Sequence, residues 1–139
     1  MFPFASFAIN CDNVVTVPHR DTLNFGPGIC CIIPFGDFDP EQDCRIVLKE
    51  AAAQIECGPG IPAFILSAVF THSNTPLVTN RSRGSIVLWT NTSIFQYYDL
   101  DCRPVNELTP EEKAAYDAAV HERVVRGIER FPHVPQVAL

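Results

Sequence analysis

Breakers recur so often along most of this chain that no long regular element fits between them. Twelve prolines and seven glycines are spread over 139 residues. Proline removes a backbone donor and glycine loosens the chain, so each tends to end or bend an element. The densest runs are Asn24-Phe25-Gly26-Pro27-Gly28, Phe35-Gly36-Asp37-Phe38-Asp39-Pro40 and Cys57-Gly58-Pro59-Gly60. A helical bundle is thereby disfavoured. Between the breakers lie short runs rich in β-branched and aromatic residues, which read as strands at 7–10, 14–17, 29–35, 45–49, 54–57, 63–71, 85–90 and 95–99. Many short strands with Gly/Pro turns point to a sandwich, jelly roll or barrel over residues 1–103.

Residues 104–139 change character. Thr109 can cap a helix, Pro110 suits its first position, and Glu112 completes a capping box. Tyr116, Val120, Val124 and Ile128 recur every four residues and form one apolar stripe. One helix is expected from 110 to 130, packing on the β core within a single domain. Pro132 and Pro135 would end it. The fold class is therefore mainly β, α+β overall, with a C-terminal helix.

Composition narrows the function. The chain is 47% hydrophobic and 19% charged, which excludes disorder as its main state. Its formal charge is −6, the wrong sign for gripping nucleic acid by charge alone. No apolar run is long enough to span a membrane. The opening residues lack a basic region and a cleavage site, so an intracellular protein, nuclear or cytoplasmic, is expected. The six cysteines show no CxxC pair and no zinc-like spacing, and read as free, mostly buried thiols. The sequons at Asn80 and Asn91 then read as chance matches.

Chemistry is concentrated in few residues. His121 and His133 fall on the helix and its tail, where solvated histidine is the default. His19 opens His19-Arg20-Asp21, an HxD between a strand and a turn. His72 stands at the end of the strand expected at 63–71. Two imidazoles and one carboxylate meeting in a jelly-roll mouth would form the facial triad of non-haem Fe(II) enzymes, with three positions left open. A 2-oxo acid can fill two of them and O2 the third. Such a co-substrate needs a cation for its distal carboxylate. Arg83 lies 11 residues after His72, and Ser85 follows on the same strand face. The competing reading makes His19 and His72 hydrogen-bonded core or turn residues and pairs Arg83 with Asp37 or Asp39.

The segments Val17-Pro18-His19-Arg20-Asp21-Thr22-Leu23-Asn24, Gly36-Asp37-Phe38-Asp39, Gly58-Pro59-Gly60, Thr71-His72-Ser73-Asn74-Thr75-Pro76, Arg83-Gly84-Ser85 and Phe95-Gln96-Tyr97-Tyr98 stand in this order. Together they resemble fungal proteins of the 2-oxoglutarate/Fe(II) dioxygenase superfamily related to the TET/JBP nucleic-acid oxygenases. The resemblance covers residues 10–98. It implies a double-stranded β-helix (a cupin-like jelly roll) that hydroxylates a C–H bond, with a methylated nucleobase as substrate by analogy. It implies that His19, Asp21 and His72 hold Fe(II), and that Arg83 with Ser85 binds 2-oxoglutarate. Asn24 completes an HxDxxN pattern and becomes a candidate reader of the substrate base. Its competing reading is a turn residue bonded to its own backbone.

The chain also departs from that pattern. Residues 40–49 lack the Gly pair usual after GDFD, and a strand that usually begins Gly-Asp begins Gly60-Ile61-Pro62. The N-terminal helices that buttress the sheet in relatives are missing ahead of the core. Their absence would expose an apolar sheet face, so the chain reads as a truncated product, a reduced homologue or one that covers that face as a homodimer. A non-catalytic β-helix interaction module is the alternative to an enzyme, and a simple cupin-like metal or sugar binder is a third reading.

Overall fold

The structure, a computed structural model, describes residues 4–78 and 80–131. Pro132, His133 and Pro135 lie outside the described residues. The chain forms two compact units, Met1–Thr92 and Ser93–Leu139. Among the described residues no helix is long and apolar enough to cross a membrane.

The first unit consists of two antiparallel sheets. β1 (Ser6–Asn10), β2 (Cys30–Asp37), β5 (Ala63–Ile65) and β7 (Ser82–Trp89) form a four-stranded sheet in the order β1-β7-β2-β5. β3 (Ile46–Leu48), β4 (Ala53–Ile55) and β6 (His72–Asn74) form a three-stranded sheet in the order β4-β3-β6. Alternation along β7 turns Arg83, Ser85, Val87 and Trp89 to one face and Gly84, Ile86 and Leu88 to the other. The register continues these faces across the large sheet, with Phe7 and Cys31 both opposite Leu88, and Ile9 and Ile33 both opposite Ile86. The core holds Ile46, Cys57 and Ala63, with Ile32, Leu48 and Ile55 packed against them. Phe7, Ile9 and Phe64, on the other face of the large sheet, are more than half exposed.

Two glycines are needed where β2 and β7 cross. Gly36 has φ +120, and a Cβ on it would overlap the Ser82 carbonyl. A Cβ on Gly84 would run into the Phe35 ring and come within 2.8 Å of the Asn10 carbonyl oxygen.

Several expected elements differ from those observed. Residues 14–17 form no strand, because the Asn74 amide takes the groups a ladder would use. Its Oδ1 accepts from the Thr16 backbone N–H at 2.7 Å, and its Nδ2 donates to the Val14 carbonyl at 3.1 Å. The run 63–71 is strand only at β5. Val69 and Phe70 then donate to the Leu66 carbonyl in a tight turn, and His72 starts a strand of the other sheet. Residues 95–99 belong to a helix, α1 (Thr92–Asp99), which opens on Thr92-Ser93, residues favoured at helix starts.

In the second unit the capping box forms as expected. Glu112 N–H donates to Thr109 Oγ1 at 3.2 Å, and Thr109 N–H donates to Glu112 Oε2 at 2.9 Å. The single helix expected over 110–130 is instead two, α2 (Pro110–Ala118) and α3 (Val120–Glu129), broken at Ala119. The Arg123 guanidinium lies 3.6 Å from the Tyr116 ring centroid and donates to the Tyr116 carbonyl. That side chain occupies the acceptor at the break.

Candidate metal centre and its cavity

A cavity of about 550 Å³ lies in the first unit, lined by β1, β2 and β7 of the large sheet, β3 and β6 of the small one, and the segment 16–24. His19, Arg20, Asp21, Asn24, His72, Arg83 and Ser85 all line it. All of these except Arg20 were singled out from the sequence as site residues, and they share one cavity.

Backbone pairing brings the imidazoles together. His19 and His72 form an antiparallel bridge, with each N–H donating to the other's carbonyl, at 3.0 Å from His19 and 2.9 Å from His72. Their rings therefore lie side by side, with centroids 4.4 Å apart. Asp21 N–H donates to the Ser67 carbonyl at 3.0 Å, which fixes the residue two positions on, on the same face of the extended segment.

The side chains are oriented as well. His19 Nδ1 lies 2.8 Å from the Val17 carbonyl, and His72 Nδ1 lies 3.0 Å from the Phe70 carbonyl. A carbonyl only accepts, so each Nδ1 carries a proton, and in the neutral ring that leaves the Nε2 lone pair free for a metal. Both Nε2 atoms face Asp21, at 3.5 Å from Oδ1 for His19 and 3.9 Å from Oδ2 for His72. One ligand atom from each of the three residues lies within 4.8 Å of the other two. Those separations are too long for good hydrogen bonds. The 3.5 and 3.9 Å separations leave room for a shared ion, since two metal bonds of roughly 2.0–2.2 Å can span up to about 4.4 Å. The outer N–H bonds match the way metal-bound histidines are usually oriented. The donor set of two imidazoles and one carboxylate fits Fe(II).

Asn24 supports this group. Its Nδ2 donates to Asp21 Oδ2 at 3.2 Å and to Ser67 Oγ at 3.1 Å, and its backbone N–H donates to the Asp21 carbonyl at 2.9 Å. On the outside of the loop Arg20 donates to Glu50 at 2.9 Å and to Thr71 at 3.1 Å. The Thr71 hydroxyl, the largest influence, and Arg20 hold the Glu50 carboxyl down to about 2.

Arg83 is 7% exposed and makes no ion pair with Asp37, Asp39 or any other described acid. Its backbone N–H donates to Asn13 Oδ1 at 2.6 Å, and one guanidinium nitrogen reaches the Val14 carbonyl at 3.4 Å. Its buried Nε has no hydrogen-bond partner. Burial lowers its pKa, and the Cys44 and Cys57 thiols within electrostatic reach raise it by less. Burial pushes both thiols up, so they supply no anion. Ser85, 2% exposed, accepts from Asn10 Nδ2 at 3.2 Å. A buried cation with an orphaned donor, beside a hydroxyl and an amide, has the chemistry to accept a carboxylate.

Asn10, Thr16, Cys30 and Asn74 also line the cavity and were not singled out from the sequence as site residues. The Cys30 thiol is pushed up to about 11, chiefly by burial, and is a neutral wall. As expected from the sequence, the described cysteines are all free, and four of the six are buried.

No family model matches the chain, and no curated protein matches it. Among solved structures it is similar to NgTET1 in complex with 5mC DNA, with a TM-score of 0.53 and 18% sequence identity. The match covers 62% of this chain and 33% of that one. The chain thus shares part of its fold with a TET oxygenase and spans about a third of that protein's length in the match.

Proposed function

We propose that this chain is an Fe(II)- and 2-oxoglutarate-dependent dioxygenase that oxidises a C–H bond, built on a double-stranded β-helix core. One observation carries the reading: a single cavity joins two oriented imidazoles and a carboxylate to a buried guanidinium that has no counter-anion among the described residues. His19, Asp21 and His72 would hold Fe(II), and Arg83 with Ser85 would hold the distal carboxylate of 2-oxoglutarate. When bound, the metal and the 2-oxo acid supply the activation of O2 needed to attack a C–H bond.

The chain's own residues do the positioning. The Nδ1–H bonds to Val17 and Phe70 keep each imidazole in the tautomer whose Nε2 can bind a metal. Asp21 supplies the negative charge, and Asn24 fixes its second oxygen. The planar guanidinium of Arg83 can offer two parallel N–H donors to a carboxylate, and burial strengthens that attraction. Ile32, Ile46 and Val87 line the same cavity and limit water. The complex of the fold relative with 5mC DNA extends the reading to a methylated base as a candidate substrate.

Anaerobic titration with Fe(II) and 2-oxoglutarate tests the proposal. A visible charge-transfer band is expected only when both are present, and Arg83→Ala should lose it at the same co-substrate concentration. A folded, iron-loaded chain that gives no band would be a non-catalytic β-helix module instead.

A further inference from the structure

Residues 13–25 run lengthwise along the cavity, and their hydrogen bonds fix its two ends. At one end Asn13 N–H donates to the Arg83 carbonyl at 3.1 Å. At the other Phe25 N–H donates to the Thr90 carbonyl at 2.9 Å, and Thr92 Oγ1 donates to the Asn24 carbonyl at 3.0 Å. His19 and Asp21 fall between these anchors. β7 spans the same length, since Arg83 to Trp89 covers roughly 20 Å at about 3.3 Å per residue. The first end holds the Arg83 guanidinium. The second is formed by Ala8, Leu23, Asn24, Val87 and Trp89.

Among the described residues the second end bears no cation. Arg20, the other cation lining the cavity, is engaged with Glu50 at 2.9 Å. Each phosphate along a nucleic-acid strand is anionic, and strand binding relies on lysines and arginines beside those phosphates. The described lining of this end offers none, and the net charge of −6 disfavours a polyanion. An indole with three aliphatic neighbours instead favours a flat or apolar body. Asn24 Oδ1 accepts no hydrogen from any described residue, which leaves one neutral acceptor for an amino or N–H edge.

We infer that this end of the cavity binds a small uncharged planar molecule, taken up free rather than within a nucleic-acid strand. The inference rests on the oxygenase reading only in reserving the Arg83 end for the co-substrate.

Trp89 is the sole tryptophan, so its emission reports occupancy of this end. The test uses the full chain without metal or co-substrate. The probes are 5-methylcytidine, which is uncharged, and a short single strand carrying 5-methylcytosine. The nucleoside should shift the emission saturably, with an affinity that salt does not change, and the strand should bind no more tightly. Leu23 is 73% exposed, so Leu23→Asp should fold normally and weaken the nucleoside about ten-fold. A strand that binds about ten-fold tighter, with affinity falling steeply in salt, would overturn the inference in favour of nucleic acid. So would a silent nucleoside, or a response that Leu23→Asp leaves intact. A chain that binds the nucleoside yet gives no band with iron would keep this site and lose the oxygenase reading.

Discussion

The two oxygens of Asp21 have different surroundings. Oδ1 faces His19, while Oδ2 faces His72 and accepts from the Asn24 amide. Removing a partner that orients a metal ligand typically costs about 10–100-fold in metal affinity. Asn24→Ala should therefore weaken Co(II) binding by roughly that factor, measured by calorimetry, whereas Asp21→Ala should abolish it. An Asn24→Ala chain with unchanged Co(II) affinity would return Asn24 to the role of substrate reader alone. At this scale the HxD, the later histidine and the RxS were readable because each is a short local pattern. Asn74, Ser67 and Asn10 were not, since their partners Thr16, Asn24 and Ser85 lie 58, 43 and 75 residues away. No local spacing marks such a pair.

Elements were legible where the local chemistry decided them. The strands β1, β2 and β7 and the Thr109 capping box were of this kind. They were illegible where a side chain claimed a backbone group and overrode propensity. Asn74 takes the backbone groups of 14–17, and Arg123 takes the carbonyl that would continue α2 into α3. One such long-range contact also fastens the HxD loop. Glu50 joins Arg20 to Thr71, the residue before His72, so it ties the loop to β6 from outside. Its carboxyl falls from an ordinary 4.5 to about 2 on folding. A depressed carboxyl stabilises fully above the unfolded value, and the stabilisation fades as pH drops through the folded one. Wild type should therefore melt above Glu50→Gln near neutrality, with the gap closing between pH 4.5 and about 2. Melting curves across that range check this. A gap that stays constant with pH would remove Glu50 from the fastening.

Across the whole first unit, the two sheets meet on little apolar surface. Ile46, 2% exposed, sits where β3 faces the large sheet and packs with Ile32, Leu48 and Ile55. Ile46→Ala should cost about 2–5 kcal/mol, read from the denaturant midpoint. A loss below about 1 kcal/mol would mean that the sheets do not share this core.

A small core makes the buried charge beside it costly. A buried cation without an anion loses its hydration and regains little from the Val14 carbonyl at 3.4 Å. Replacing buried charges by apolar side chains of similar volume often stabilises a protein by about 1–4 kcal/mol. Arg83→Met keeps the stem and the backbone bond to Asn13 while removing the charge. The ligand-free chain should therefore melt higher with Arg83→Met, and the stabilisation by added 2-oxoglutarate should disappear. In the wild-type chain with Co(II) present, 2-oxoglutarate at about 100 times its Kd should add roughly 2.7 kcal/mol, because ligand binds only the folded form. These two melting series oppose each other only if Arg83 is kept for a ligand at the expense of stability. A destabilised Arg83→Met chain would instead make the guanidinium a structural pin for residues 13–14, and the carboxylate site would have to be sought elsewhere.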